Sequence, residues 1–523
     1  MRAPDCDESA PSSSTSGFES DPDGFDPKTP TFRGSKAFLR REVGLLGTIS
    51  LLVGAAAGSG IFVTPGIVYR NAGSVGVALV VWGISGCFAM VGGLCYAELG
   101  AMLPVSGGAY SCVAEASKSL GKPGEFIRFM YAWSYVMLAD PMTATLHALT
   151  ISSYVVGILY PTCSAPYVLR LIVTLIFTCM ATAINSFSVK VSSRVQGVLS
   201  TVKCLILVTI IVTGAIVASS ASHLNDAPMF TPDTTYEKMV VAFYACNTSY
   251  AGWQSIVNIG GEMKDPRRSI PLALVAGLSI VTVLSLLVNV AYFAVLGPVT
   301  VAGSEAIAVS FAFATWGMAG AVLVALAVTI STFGALCAGF FSNTRVILAV
   351  ARRGHLPSIF GSINVNSSVP LTSLLLRSFL AQVYASTGSV ERLLPNMVFL
   401  YSSINVLLVC SFFVLRFTMR DALRPYRVPT VFPVLWLVFL VLMSVSPLAR
   451  SVQHMQYGVM IAVVLSGAVY YALFVHFELS LPGARVVTCF VQKLLACAPC
   501  FSDLDVPANQ KSGGRANKRL ASS

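Results

Sequence analysis

Charge is what this chain has least of. Only 11% of its 523 residues are Asp, Glu, Lys or Arg, where a soluble domain carries about 25%. That leaves too little polar surface to cover a water-soluble globule. Alternating apolar and polar stretches are lacking too. The apolar runs are continuous, which excludes the strands of a membrane barrel and leaves helices, the other structure that satisfies its backbone in lipid. Metal-ligand spacings, a nucleophile elbow and a phosphate-cradling glycine loop are also missing. No catalytic residue, metal or cofactor is therefore expected, and no secretory signal peptide is read.

What the chain has instead is apolar length. Hydrophobic residues make up 55% of it, with a mean hydropathy of +0.75. Runs of roughly 18 or more residues, enough to span hydrocarbon, recur along it. About twelve spans are read, at 43–69, 75–98, 126–159, 167–187, 196–220, 237–259, 271–296, 317–350, 371–387, 395–416, 429–448 and 456–477. The third and eighth are long, as tilt or extension past the bilayer would require, and Arg377 interrupts the ninth. The expectation is an all-α membrane protein with a transporter domain at 36–480, a disordered tail at 1–35 and a C-terminal tail at 481–523.

The formal net charge of +11 is a topology signal rather than a nucleic-acid footprint. With both termini cytoplasmic, Lys118, Lys122, Arg128, Lys190, Arg194, Lys264, Arg267, Arg268, Arg352, Arg353, Arg416, Arg420, Arg424 and Arg427 all fall in inner loops. Outer loops hold scattered single charges. The sequons at Asn247 and Asn366 fall in a span and an inner loop, so no glycan is expected.

Two spans carry chemistry. The first reads Gly54-Ala-Ala-Ala-Gly58-Ser59-Gly60-Ile61-Phe62-Val63-Thr64-Pro65. Glycines on both sides of Ser59 at mid-bilayer allow the helix to break. A break exposes the N–H groups of a half-helix N-terminus to a carboxylate, while the preceding carbonyls accept from an ammonium. A zwitterionic amino acid meets both demands; a small-residue packing face is the plainer reading. The sixth span offers a second break in Asn247-Thr248-Ser249-Tyr250-Ala251-Gly252. The second lies five spans after the first, the spacing of an inverted five-helix repeat.

These segments carry a family resemblance. Gly58-Ser-Gly-Ile-Phe-Val-Thr-Pro65, Leu94-Cys-Tyr-Ala-Glu-Leu-Gly100, Ser106-Gly-Gly-Ala-Tyr110, Pro161-Thr-Cys163, Trp253, Gly261-Glu-Met-Lys-Asp-Pro266, Ser304-Glu-Ala-Ile-Ala-Val309, Arg353-Gly-His-Leu-Pro-Ser358 and Arg424-Pro-Tyr-Arg-Val-Pro429 resemble, in order, the light chains of heteromeric amino acid transporters. The resemblance implies the LeuT-type fold of the APC superfamily, a 5+5 inverted repeat with two extra helices. It implies sodium-independent exchange by alternating access at the plasma membrane, and a single-span type II glycoprotein heavy chain. Backbone amides around Gly58, Ser59, Gly60 and Ile61 would hold the substrate carboxylate. Carbonyls near Ala56, Thr248, Ala251 and Gly252 would hold its amino group. Cys163, in a short outer loop without an outer partner in this chain, would form the interchain disulfide.

Several positions depart from the family pattern. Thr248 stands where most relatives carry an aromatic gate, so Thr248, Tyr250 and Asp140 are the gating candidates. Asp140 is an acid inside the third span, where relatives often have a basic residue, and an intramembrane acid is a functional candidate by default. Glu98 is read as an inner gate or as an interfacial carboxylate beside a basic group. His147 is read as packed, and Arg377 as paired or snorkelling. A cationic side chain in the pocket would need a carboxylate nearby, and the position of Ala251 is apolar; an anionic one would need an Arg or Lys, which neither broken segment offers. Neutral amino acids are therefore the expected substrates. A cationic or broad-specificity carrier working alone, and a non-transporting membrane scaffold, are the alternatives.

Overall fold

Each of the twelve apolar runs is helical in the computed structural model. It describes residues 43–499 apart from 57–59, 104–106, 160–165, 188, 221–222, 226–228, 231–233, 305, 388–389, 423, 446–453, 478 and 480–482. Among the described residues, seven helical stretches are long and apolar enough to cross a membrane, and Val431–Val445 and Met460–His476 are shorter apolar helices.

The first span is three pieces, α1 (Leu45–Ala56), α2 (Gly60–Val63) and α3 (Pro65–Ala72). The second is α4 (Val75–Met102). The short helix α5 (Gly108–Ser117), which the apolar-run reading missed, leads to the third span, α6 (Gly121–Ser134) and α7 (Asp140–Leu159). A π-helical turn over Tyr135–Ala139 joins those two. It falls just before Pro141, which has no N–H for the regular ladder. The fourth and fifth spans are α8 (Tyr167–Phe187) and α9 (Val189–Ser220).

The sixth span is broken again, into α10 (Tyr236–Ser249) and α11 (Ser255–Asn258). The seventh and eighth are α12 (Pro266–Gly303) and α13 (Ile307–Arg352), with non-helical backbone at Gly297 and Gly317 close to the limits expected for those spans. The remaining spans are α14 (Leu371–Thr387), α15 (Val390–Thr418), α16 (Val431–Val445) and α17 (His454–Tyr470). The sixth span is interrupted between Ser249 and Ser255, and the first is described as separate helices on either side of residues 57–59, which lie outside the described residues.

Packing puts the first break at the centre. Helix α1 lies between α12 and α9 and also touches α13, while α12 runs along α4 and α13 along α7. Val43, at the start of the first span, exchanges backbone hydrogen bonds with Glu262 and Lys264 after the sixth, each at 3.0 Å.

Part of the expected C-terminal tail is ordered. Helix α18 (Ala484–Leu494) is followed by the short strand β2 (Cys497–Pro499), antiparallel to β1 (Ser362–Asn364) in the loop between the eighth and ninth spans. Gln492 Nε2 donates to Ser362 Oγ at 2.8 Å, which seats the helix on that loop.

Candidate functional site

The two broken segments cross at backbone distance. An added Cβ on Gly60 would lie 2.5 Å from the Cα of Ser249, so only glycine lets α2 approach the end of α10 this closely. Gly252 has φ +105°, and a Cβ there would meet the Ala55 carbonyl oxygen at 2.7 Å. Each break thus brings a glycine against the other's backbone. Thr64 Oγ1 ties them further, 2.8 Å from Ser249 Oγ and donating to the Gly60 carbonyl at 3.0 Å.

The carbonyl ends of α1 are held from the fifth span. Ser200 Oγ donates to the Ser50 carbonyl at 2.7 Å, and the buried Lys203 ammonium donates to the Gly54 carbonyl at 2.8 Å. Lys203 was not singled out in the sequence, although a lysine in the middle of an apolar run is the signal for such a role. In the sixth span the turn spends several of its own groups. The Gly252 N–H donates to Gln254 Oε1 at 3.2 Å, and Thr248 Oγ1 donates to the Ala245 carbonyl at 2.7 Å.

A cavity of about 920 Å³, counting its opening to solvent, lies against this crossing. Ala55, Gly60 and Thr64 line it from the first span, and Thr248, Ala251, Gly252 and Gln254 from the sixth. The opposite walls carry Thr143 and His147 of α7, Asn343 of α13, Arg377 of α14 and Tyr401 of α15.

The expected site residues therefore divide. Gly60, Thr248, Ala251 and Gly252 come together on the cavity wall. Ala56 and Ile61 are fully buried beside it without lining it. Gly58, Ser59 and Cys163 lie outside the described residues. Tyr250 is fully buried and turned to the second span: its hydroxyl donates to the Trp82 carbonyl at 3.0 Å and its ring meets the Trp82 ring edge-on at 5.8 Å. His147, expected to be packed, is on the cavity wall.

Asp140 does not line the cavity; it holds a residue that does. Arg377 grips its carboxylate with Nε at 2.8 Å and Nη2 at 2.9 Å, and Asn343 Nδ2 donates to it at 2.6 Å. Asn258, at the end of α11, donates to Asn343 Oδ1 at 3.0 Å. A buried polar chain thus runs from the sixth span through the eighth to the third and ninth. Sequence reading noted Asp140 and Arg377 separately, but their separation of 237 positions hid the pairing.

Two further carboxylates are paired. Glu262 takes Arg345 through two oxygens, at 2.6 and 3.0 Å, both residues being fully buried. Glu98 takes Arg416 at 3.0 and 2.6 Å and the Val428 N–H at 2.8 Å. Glu98 is thus paired with a basic neighbour, a pairing that an inner gate and a plain interfacial carboxylate share. Among the described residues no cluster of His, Cys, Asp or Glu is arranged to hold a metal ion.

A discontinuous helix pair closing on a cavity at membrane depth is a substrate-site architecture. The family model for amino acid permeases matches residues 43–471, across both breaks and every cavity wall. The chain belongs to the amino acid permease family. Its relatives include the rat b(0,+)-type amino acid transporter 1, 31% identical over 473 residues that cover 89% of this chain and 94% of the relative. The human protein of the same name is 30% identical over the same span. The human large neutral amino acids transporter small subunit 2 is 31% identical over 449 residues, 85% of this chain and 82% of that one. This permease is accordingly a multi-pass membrane protein.

Proposed function

We propose that this permease exchanges neutral amino acids across the plasma membrane by alternating access, without sodium, as the light chain of a heterodimer. The observation that carries the reading is the crossing of the two breaks on one cavity, Gly60 on Ser249 and Gly252 on Ala55. Such a crossing supports a site in which helix-end amides meet the carboxylate and carbonyls the ammonium of a zwitterion. Helix breaks that served packing alone would need no cavity beside them, which argues against a scaffold.

The charge balance of the cavity favours neutral side chains. Asp140 is the carboxylate closest in the network to the cavity wall, and its oxygens are taken by Arg377 and Asn343. A lysine side chain would have to displace Arg377 to use it. An uncompensated cation at membrane depth is costly. The small Thr248, in place of a bulky gate, leaves room for larger side chains.

One relative bears on assembly. The large neutral amino acids transporter small subunit 2 is, by its name, one subunit of a larger transporter. Cys163, in an outer loop facing an oxidising compartment, is the residue we assign to a disulfide with a single-span glycoprotein. Both termini are assigned to the cytoplasm from the Lys and Arg distribution.

Competition by leucine, alanine, lysine and glutamate against labelled leucine, in sodium-free proteoliposomes, tests the reading. Leucine and alanine should compete and lysine and glutamate should not. Lysine competing as well as leucine would overturn the neutral assignment.

A further inference from the structure

Arg377, on the far wall of the cavity, carries a buried hydrogen-bond donor without a partner among the described residues. Arg377 is 1% exposed, yet it lines the same cavity as Gly60, Thr248 and Gly252. Its Nε and Nη2 are committed to Asp140. Its guanidinium lies over the Phe340 ring at 4.2 Å. Nη1 is buried and, among the described residues, has no hydrogen-bond partner. A guanidinium cannot shed its proton to escape that cost, and a buried donor left unmade is unfavourable. The seat is built for this group: a Cβ on Gly339 of α13 would lie 3.0 Å from Arg377 Nη2, so α13 is bare where the guanidinium rests.

The chemistry of the missing partner follows from the charges around it. Asp140 already balances Arg377, and Asn343 already donates to Asp140. A second full negative charge has nothing left to neutralise there. A neutral oxygen, a carbonyl or hydroxyl, completes the fork without adding charge. The neighbouring walls supply Thr143, His147 and Tyr401 beside the apolar Leu146 and Met397, so a polar side chain finds partners there as well as apolar contacts.

We propose that Arg377 Nη1 donates to the side-chain oxygen of the substrate, which makes this carrier selective for neutral amino acids with an accepting side chain, asparagine and glutamine above all, over aliphatic ones of the same shape. Asp140 is the positioning residue that turns the fork. The inference rests on the substrate site proposed above, with the α-carboxylate and α-amino groups at the two breaks and the side chain directed across the cavity.

Asparagine and leucine are nearly isosteric, so their competition against one labelled neutral substrate isolates the oxygen. In proteoliposomes holding the full-length chain, asparagine should compete better than leucine, and aspartate should compete worse than asparagine. Leucine competing better than asparagine in the unmodified protein, or aspartate better than asparagine, overturns the proposal without any variant. The charge-balanced double variant Asp140→Leu with Arg377→Met removes the donor and leaves no orphaned carboxylate. Its asparagine-to-leucine preference should fall about tenfold, the equivalent of one hydrogen bond. A double variant that still moves leucine with the preference unchanged overturns the assignment to Arg377. Loss of all uptake in the unmodified protein would instead strike at the transport reading beneath it.

Discussion

Breaking the Glu262–Arg345 pair gives the sharpest energetic test of how the transporter is held together. Both side chains are at most 1% exposed, and two hydrogen bonds of 2.6 and 3.0 Å join them. Arg345 Nη1 also donates to the Phe341 carbonyl and, at 3.2 Å, to Thr344 Oγ1, and its guanidinium lies 4.2 Å from the centre of the Phe341 ring. These contacts place the guanidinium but do not balance its charge. Glu262→Met leaves a buried cation alone, which costs about 3–5 kcal/mol. Arg345→Met leaves a buried carboxylate and costs about as much. The pair replaced together by apolar side chains of similar volume is often near neutral, so the double variant should recover most of the loss. With each single change costing about 3–5 kcal/mol and the double change near neutral, the two should be coupled by about 6 kcal/mol or more, far outside the roughly 0.5 kcal/mol within which independent sites add. The assay is the fraction of protein left monodisperse in detergent after heating through a temperature series. Both single variants should lose it well below the unmodified protein, and the double variant close to it. A double variant as fragile as the sum of the singles would refute the argument that the pair acts as a unit.

The crossing of the breaks makes a second expectation. Gly60→Ala puts a Cβ 2.5 Å from the Ser249 Cα, a contact the backbone must relieve. Overpacking of this kind costs about 1–3 kcal/mol, so the variant should reach the cell surface yet lose most of its uptake, as measured by surface labelling beside leucine transport. Cys163→Ser should remove a heavier species from a non-reducing gel of cells expressing the full chain and leave the monomer band. Tyr250→Phe loses the bond to the Trp82 carbonyl and the hydroxyl's contacts with Ser285 and Thr282, a cost of about 1 kcal/mol for each bond lost. Its substrate preferences should be unchanged in the competition panel, because the ring faces away from the cavity.

Much of this architecture was legible because lipid enforces a simple code. The fourth and ninth spans, expected at 167–187 and 371–387, have those limits in the structure. Arg377 did not end the ninth helix, because Asp140 neutralises it from the third span. The break in the sixth span was legible as glycine beside polar residues, and the structure adds that Gly60 and Gly252 are each pressed against the other segment. What sequence could not supply was pairing at long range. The opposite cavity wall, Thr143, His147, Asn343, Arg377 and Tyr401, comes from four helices far apart in the chain. Helices α5 and α18 were missed for another reason. Both are too short to span a bilayer, so a rule based on apolar length passes over them, although α5 is almost wholly buried.

The central claim is that one cavity at the crossed breaks is loaded from either side in turn. Release of labelled leucine from loaded, sodium-free proteoliposomes containing the full-length chain tests it most directly. An alternating-access exchanger should release the label slowly into plain buffer and much faster when unlabelled leucine is present outside. Release no faster than from protein-free liposomes, with or without external leucine, would contradict the account.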